Sequence, residues 1–314
     1  MGLVERALGG SIRGAVVTEH GEGELSFALE GSAPTRILPR KLIDLEPRES
    51  WMDAQGIDVQ VVGTWADLFG YALPPRLAPE WARHLNETLL EVAAESGRYE
   101  AFASLPMQVP DTAAAMIPSL LSDGFVGVTI ATRIGNVELD AAQFESFWQS
   151  LSDHEATVFI HPGYADDDQR TVDYGMINAV GRPVDTTIAA ARILAAGIPE
   201  RFPGARILLA HGGGALPFIL GRLRRNHELF PEVGDPDAGL ERLYFDSVVF
   251  DPDALCYLVD KAAPGAVMLG SDYPFPIGDH SPTRVVATAG CLSDTQQSSI
   301  LGRAAGGLLG IGAE

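Results

Sequence analysis

The chain has 314 residues, enough for one large α/β domain or two smaller ones, and 46% of its residues are hydrophobic. A net charge of -20 argues against nucleic acid and anionic membranes as partners, because both would be repelled. Cys256 and Cys291 show neither a CxxC spacing nor a disulfide framework, so we expect free thiols. With no membrane-span pattern and no signal-peptide pattern, the sequence favours a cytoplasmic enzyme.

The first predicted element is a β-hairpin. Residues Gly14–Gly31 read as two strands joined by the turn "GEG". The segment Pro34–Gly56 is a loop punctuated by prolines that leads into a short helix. We expect the hairpin to lie outside the main sheet.

Seven short apolar runs follow, and each is typical of a strand buried on both faces. Amphipathic stretches of helical period separate them, which indicates repeated βαβ units and a parallel sheet. A doubly wound sheet and a TIM barrel both fit, and the length favours a barrel, although a barrel needs eight strands. The predicted strands lie in Ile57–Gly63, Ala101–Leu105, Phe125–Ile130, Ala156–His161, Ala205–His211, Leu243–Val248 and Ala266–Asp272.

Three of these runs end in a residue that can bind a metal or move a proton: His161, His211 and Asp272. The carboxyl ends of the strands of a parallel barrel lie on one face, so the three side chains should converge there. Each one alone has a structural explanation, as a hydrogen-bonded histidine or a turn cap. Together they indicate a site for zinc or a similar divalent ion.

The "HGGG" motif at His211 has a second interpretation. It occurs as the oxyanion motif of some α/β-hydrolases, but that fold requires a G-x-S-x-G nucleophile elbow, which this sequence lacks. We therefore favour the metal site.

Three motifs carry a resemblance to a known family. "HPG" at His161, "LAHGGGALPFILGRL" around His211 and "GSDYPFP" around Asp272 are similar to the amidohydrolase-2 branch of the amidohydrolase superfamily. The likeness covers nearly the whole chain. It implies a single, distorted TIM-barrel domain over residues 1–314, with one divalent metal, usually zinc.

The resemblance also implies a role for particular residues. His161 and Asp272 match metal ligands, and His211 matches the histidine that serves as catalytic acid and base. Arg222 matches an arginine that reaches a substrate carboxylate from the neighbouring subunit of a homodimer. Arg40 matches more loosely, with a similar role in binding substrate.

The sequence departs from the family at the first barrel strand. The family carries a His-x-His or Glu-x-His pair of ligands there, and this sequence has neither. Glu19 and His20 are poor replacements because adjacent residues of a strand face opposite ways. We expect a further segment upstream that supplies the strand, the alternative being that strand and metal are lost. Relatives also carry tryptophans after the "HP" histidine, whereas here only Tyr164 and Tyr174 follow, so the pocket should differ.

The leading hypothesis is non-oxidative decarboxylation of a small carboxylated aromatic or unsaturated acid. The alternative within enzymes is hydrolysis of a C–N, C–O or C–C bond by a metal-bound hydroxide. A third possibility, from another class, is a metal-poor protein that binds a small acid without catalysis.

Overall fold

The computed structural model describes residues 14–21, 24–30, 33–38, 40–42, 44–163 and 168–312. The chain divides into two compact units, residues 1–130 and 131–314. Each unit is described by itself below. A single domain with the hairpin outside the barrel stays a prediction.

The first unit begins with the predicted hairpin. Strand β1 (Ala15–Glu19) pairs antiparallel with β2 (Leu25–Leu29), and Ala15 stands opposite Leu29. Strand β2 packs against a buried apolar cluster, in which Trp81 donates a hydrogen bond from Nε1 to the Leu68 carbonyl at 2.7 Å. The hairpin therefore covers apolar side chains that would otherwise meet water. Besides Trp81, the buried members are Leu25, Phe27, Leu29, Leu38, Leu68, Leu73, Leu77 and Leu85.

The rest of the first unit is built from parallel strands and helices. Strand β4 lies between β3 and β5 and pairs parallel with both. The two longer helices have a proline within their first two residues, and Gly97, in left-handed conformation, follows the longest. The strands are β3 (Gln60–Val62), β4 (Tyr99–Ser104) and β5 (Gly127–Ala131), and the helices are Leu45–Gln55, Ala78–Ser96 and Pro110–Ser122.

The second unit opens with a short antiparallel pair, β6 (Arg133–Ile134) and β7 (Val137–Glu138). Four parallel strands follow, and each pairs with the next in chain order. They are β8 (Thr157–His161), β9 (Arg206–Leu209), β10 (Leu243–Asp246) and β11 (Val267–Met268). With β3 to β5, all seven predicted strands are found, although several are shorter than predicted.

Helices connect these parallel strands. Three of them start at a proline, and aspartate or serine side chains cap two of these and a further helix by accepting backbone N–H bonds. The α-helices are Glu145–Asp153, Arg182–Ala195, Ile198–Arg201, Leu216–Leu229, Pro236–Leu240, Pro252–Lys261, Pro282–Thr288, Asp294–Ser298 and Ala304–Leu309. Because every crossover returns the chain to the same starting edge, the carboxyl ends of β8 to β11 lie at one edge of their sheet.

The prediction of free thiols is wrong. Cys256, on the helix Pro252–Lys261, forms a disulfide with Cys291, which follows the helix Pro282–Thr288. Their Cα atoms lie 6.0 Å apart, within the usual range for a disulfide. The spacing of 35 residues shows no recognisable motif, and only the packing of the two segments brings the cysteines together.

Among the described residues, no helix combines the length and the apolar character needed to cross a membrane.

Candidate metal centre

The second unit places a polar residue at or just beyond the carboxyl end of each of its four parallel strands. His161 is the last residue of β8, and His211 follows β9 by two positions. Asp246 is the last residue of β10, and Asp272 follows β11. Because these strands are neighbours and parallel, the four residues line one edge of the sheet.

Three of the four form a compact cluster. One ligand atom from each of His161, His211 and Asp272 lies within 4.8 Å of the others. His211 Nε2 is 3.9 Å from Asp272 Oδ2, and the two imidazole rings lie edge to face with centroids 5.1 Å apart. The structure thus brings together the three side chains that the strand ends singled out. Their separate roles remain predictions.

The turn that carries His211 has an unusual backbone. His211 itself has a φ of 57°, and the three glycines after it also have positive φ. A side chain on Gly213 would lie 2.9 Å from the Phe245 ring, and one on Gly214 would overlap the Pro183 carbonyl. The glycines of "HGGG" therefore serve a tight left-handed turn packed closely against its neighbours.

The loop that carries Asp272 is also closely packed. Asp272 has a φ of 55°, and the amide of Asp279 donates a hydrogen bond to the Ser271 carbonyl at 2.7 Å. A Cβ on Gly278 would lie 2.5 Å from the Asp272 carbonyl oxygen. The second half of the loop folds back onto the first and fixes the backbone of Asp272.

Burial shifts the pKa values of two side chains at the centre, His161 and Asp272. Burial lowers the pKa of His161 well below its ordinary value, and His211 and Arg182 beside it lower it further. Burial raises the pKa of Asp272; His211 and Arg182 oppose that effect, whereas Asp246 adds to it. His161 is therefore neutral near pH 7, the form in which an imidazole binds a metal ion.

The donor set fits a divalent ion. Two imidazoles and a carboxylate are the ligands that zinc and similar metals take. His211 Nδ1 is a buried nitrogen without a hydrogen-bond partner in the described part of the chain, so the imidazole keeps an unsatisfied polar atom. Ligands of a tetrahedral ion lie about 3.4 Å apart. Two arrangements fit these distances. Either the three side chains move closer together when an ion binds, or two of them hold the ion and the third lies beside it.

The other sequence candidates lie elsewhere. Arg222 is exposed on the helix Leu216–Leu229, and within the described residues no hydrogen bond or ion pair joins it to the cluster. The side chain of Arg40 and the whole of Tyr164 lie outside the described residues. Tyr174 is 93% exposed. His20 bonds Ser26 across its own hairpin at 2.9 Å.

The sequence reasoning passed over two residues beside the cluster. Asp246 ends β10 and accepts a hydrogen bond from the amide of Gly212. Arg182 donates a hydrogen bond to the carbonyl of Pro162, directly after His161, at 2.7 Å. Asp246 could have been found by the pattern that revealed His161, a polar residue at the end of a buried strand. Arg182 is the first residue of the helix Arg182–Ala195 and carried no comparable signal.

Comparison with known protein families identifies the class of protein. The Amidohydrolase family (Amidohydro_2) matches residues 43–311, which is most of the chain. The chain belongs to this family, and it is therefore an enzyme of the amidohydrolase superfamily.

Individual relatives are decarboxylases. The chain is 29% identical to 2-amino-3-carboxymuconate-6-semialdehyde decarboxylase of Dictyostelium discoideum, over 85% of the chain and 77% of the relative. It is 34% identical to 6-methylsalicylic acid decarboxylase of Penicillium expansum, over 62% and 63%. These names agree with the predicted carboxy-lyase class.

A solved structure shows the same fold. A dihydroxybenzoic acid decarboxylase from Polaromonas sp. JS666, with bound manganese and the inhibitor 2-nitroresorcinol, matches with a TM-score of 0.78. The match has 22% identity and covers 87% of this chain and 88% of the other. The predicted TIM-barrel-like α/β fold class is confirmed.

Proposed function

We propose that the protein is a metal-dependent decarboxylase that acts without oxidation on a small carboxylated aromatic or unsaturated acid. The observation that carries this proposal is the cluster of His161, His211 and Asp272 at neighbouring strand ends, within a family whose named relatives remove carboxyl groups.

In this proposal His161 and Asp272 hold one divalent ion. Zinc suits an imidazole nitrogen and a carboxylate as ligands, and the manganese of the Polaromonas structure makes Mn²⁺ the second candidate. A bound ion supplies positive charge that orients the substrate's oxygen atoms and stabilises negative charge that develops on them. The low pKa of His161 keeps its imidazole neutral and ready to bind.

His211 moves the proton. When the bond between the carboxyl group and its carbon breaks, carbon dioxide leaves and the electron pair stays on that carbon. The carbon then takes a proton. His211 is largely buried beside Asp272, and such a position allows an imidazole to deliver a proton without competition from water.

Arg222 supports a homodimer. It follows Phe218, which is 69% exposed, by one helical turn, so both lie on the same face of the helix. The adjoining helix Arg182–Ala195 and the helical turn Ile177–Gly181 before it present exposed apolar residues at positions four apart, Val180, Val184 and Ile188. Thr187 of that helix accepts a hydrogen bond from the amide of Ala215, so the two helices adjoin. We infer that a second copy covers this face and receives Arg222 at its own site, where the arginine pairs with the substrate carboxylate.

A cytoplasmic location belongs to the proposal as well. It rests on the acidic composition and on the family. The disulfide between Cys256 and Cys291 stands against it, because disulfides are rare in reducing compartments. Counting the free thiols of protein extracted from cells under alkylating conditions tests this: two free thiols would agree with a reducing cytoplasm, and none would show that the disulfide forms in the cell.

The proposed reaction is tested on purified protein loaded with Zn²⁺ or Mn²⁺. The probes are 6-methylsalicylate and 2,6-dihydroxybenzoate, and the assay follows carbon dioxide and dissolved oxygen together. Decarboxylation predicts one carbon dioxide for each substrate lost and no oxygen consumed. Cleavage of amides or esters without carbon dioxide would indicate hydrolysis instead. Tight binding of these acids without turnover would indicate a binding protein.

Subunit complementation tests Arg222. His211→Ala and Arg222→Ala dimers should each be inactive, and after subunit exchange about a quarter of the wild-type activity should return, because half of the dimers then hold one intact site. No recovery despite exchange would place Arg222 in its own subunit's site or outside any site.

A further inference from the structure

Asp246 is a buried carboxylate that the mechanism above does not use. It is 7% exposed and lies at the end of β10, between β9, which leads to His211, and β11, which leads to Asp272. Gly270 packs so closely on it that a Cβ at that position would lie 2.8 Å from the Asp246 Cβ. Asp246 thus adjoins both segments that carry the candidate centre.

One oxygen of this carboxylate holds the His211 turn. Asp246 Oδ1 accepts a hydrogen bond from the Gly212 amide at 2.9 Å and another from the Val248 amide at 3.1 Å. Bonds from backbone amides to a carboxylate are charge-assisted and short, and burial strengthens them. The Gly212 amide is the first donor after His211, so its position determines where the imidazole points.

The turn needs such an anchor. His211 has a φ of 57°, which costs free energy for a residue with a side chain, and strain of this kind persists only where the surroundings enforce it. On the far side, Thr187 Oγ1 accepts from the Ala215 amide at 2.8 Å. The left-handed turn is therefore held at both ends, by Asp246 near the imidazole and by Thr187 beyond the glycines.

We propose that Asp246 is a positioning residue for His211. Its carboxylate oxygen, through the Gly212 amide, keeps His211 in the left-handed conformation that directs the imidazole at Asp272. The inference rests on the proposed function only in that His211 moves the proton. The geometric claim stands or falls by itself.

Two variants of the full chain separate the geometry of Asp246 from its charge. Asp246→Asn keeps an oxygen at the same place and removes the charge. Asp246→Glu keeps the charge and moves the oxygen away. Asp246→Ala removes both. Asp251→Ala is the matched control, because Asp251 also accepts a backbone amide, that of Ala254 at 2.8 Å, but caps a helix and makes no bond to the His211 turn.

The measurement is the imidazole NMR spectrum of histidine-labelled protein, with His211 assigned by its loss in His211→Gln. The chain has seven histidines, and the five other than His161 and His211 serve as internal references, because the His161 ring lies only 5.1 Å from that of His211. Asp246→Ala and Asp246→Glu should displace the His211 signals and leave those five in place, whereas Asp246→Asn and Asp251→Ala should leave the His211 signals in place as well. If Asp246→Ala does not fold, the comparison of the Asn and Glu variants decides.

Kinetics supply a second readout. Misplacing a catalytic group by about 1 Å can cost about 10²-fold in rate, so Asp246→Glu should lower kcat by about that factor with little change in KM, and Asp246→Asn should restore kcat. The proposal would be overturned if the His211 NMR signals kept their positions in folded Asp246→Ala or Asp246→Glu. It would also be overturned if Asp246→Asn displaced those signals. A protein without decarboxylase activity but with these NMR results would refute the proposed function and leave the positioning role intact.

Discussion

His211 Nε2 lies 3.9 Å from Asp272 Oδ2, and both residues have left-handed backbones, with φ of 57° and 55°. Two residues with side chains in this conformation and in close proximity are uncommon in a structural core. Strain of this kind concentrates at functional sites, where the surrounding packing enforces it. Among the described residues that share this conformation, His211 and Asp272 are the two that belong to the candidate centre.

The first prediction concerns the cluster itself. His211→Ala should lower kcat by about 10²–10⁴-fold, because it removes the group that we propose delivers the proton. His161→Ala and Asp272→Ala should instead lower metal affinity, because each removes a proposed ligand. Activity and metal content are measured on the same samples. His154→Ala is the control, since His154 is exposed and contacts the Ser150 carbonyl of its own helix. Full activity in His211→Ala would contradict the assigned role.

The second prediction concerns the Asp272 loop. Gly278→Ala should destabilise the protein by about 1–3 kcal/mol, as overpacked sites do, because the new Cβ would lie 2.5 Å from the Asp272 carbonyl oxygen. It should also weaken metal binding by moving the carboxylate. Gly307→Ala is the matched control. Gly307 lies in the helix Ala304–Leu309 with open space around it, so alanine there should be neutral or stabilising. Equal urea midpoints for the two variants would show that the loop has room.

The third prediction concerns the disulfide. Reduction should lower the free energy of unfolding by about 3–4 kcal/mol, the entropic value for a loop closed over 35 residues. Urea unfolding with and without dithiothreitol measures this difference. The double variant Cys256→Ser, Cys291→Ser controls for other effects of the reductant, since it should show no response to it. An identical curve for reduced and oxidised wild-type protein would mean that the cross-link does not constrain the unfolded chain.

The fourth prediction concerns pH. Hydrogen bonds from Arg224 are the main cause that lowers the pKa of Asp237 below its ordinary value of 3.8. A carboxyl group whose pKa is depressed by folding stabilises the native state above the unfolded pKa. That contribution is lost as the pH falls through the folded pKa. Both side chains are about half exposed, so water and salt screen the pair, and Arg224→Gln should cost only about 0.2–1 kcal/mol at pH 7.

The difference in the free energy of unfolding between wild type and Arg224→Gln should disappear at acid pH, where Asp237 is protonated in the native state. Chemical unfolding at several pH values measures it, with Asp237→Asn completing a double-mutant cycle. A difference that persists unchanged when Asp237 is protonated would assign the effect of Arg224 to packing.

Local patterns in the sequence predicted the strands and the cluster well. Alternation of apolar runs with helical stretches located all seven strands, because strands buried on both faces leave a continuous apolar signal. His161, His211 and Asp272 were found because each stands at or near the end of such a run, where parallel topology gathers side chains. Strands β3 and β11 are shorter than predicted, because the apolar runs extend outside the paired residues, to Ile57 and Val59 before β3 and to Leu269 after β11.

Features that depend on distant contacts were missed. Cys256 and Cys291 lie 35 residues apart, and their spacing matches no framework. Asp246 sits at a strand end like the others, but the sequence does not reveal that its oxygen accepts the Gly212 amide. Arg182 lies beside the centre because its side chain reaches the Pro162 carbonyl. Each of these contacts is decided by how the connections pack, and no local pattern encodes that.

The most direct test of the central claim is a metal titration of carbon dioxide release. Protein stripped by a chelator is incubated with carboxyl-labelled 2,6-dihydroxybenzoate or 6-methylsalicylate, and Mn²⁺ or Zn²⁺ is added in steps. The account predicts labelled carbon dioxide that rises in proportion to bound metal in the wild type and stays at background in His211→Ala at equal metal content. Release that is independent of metal, or equal in the two proteins, would contradict it.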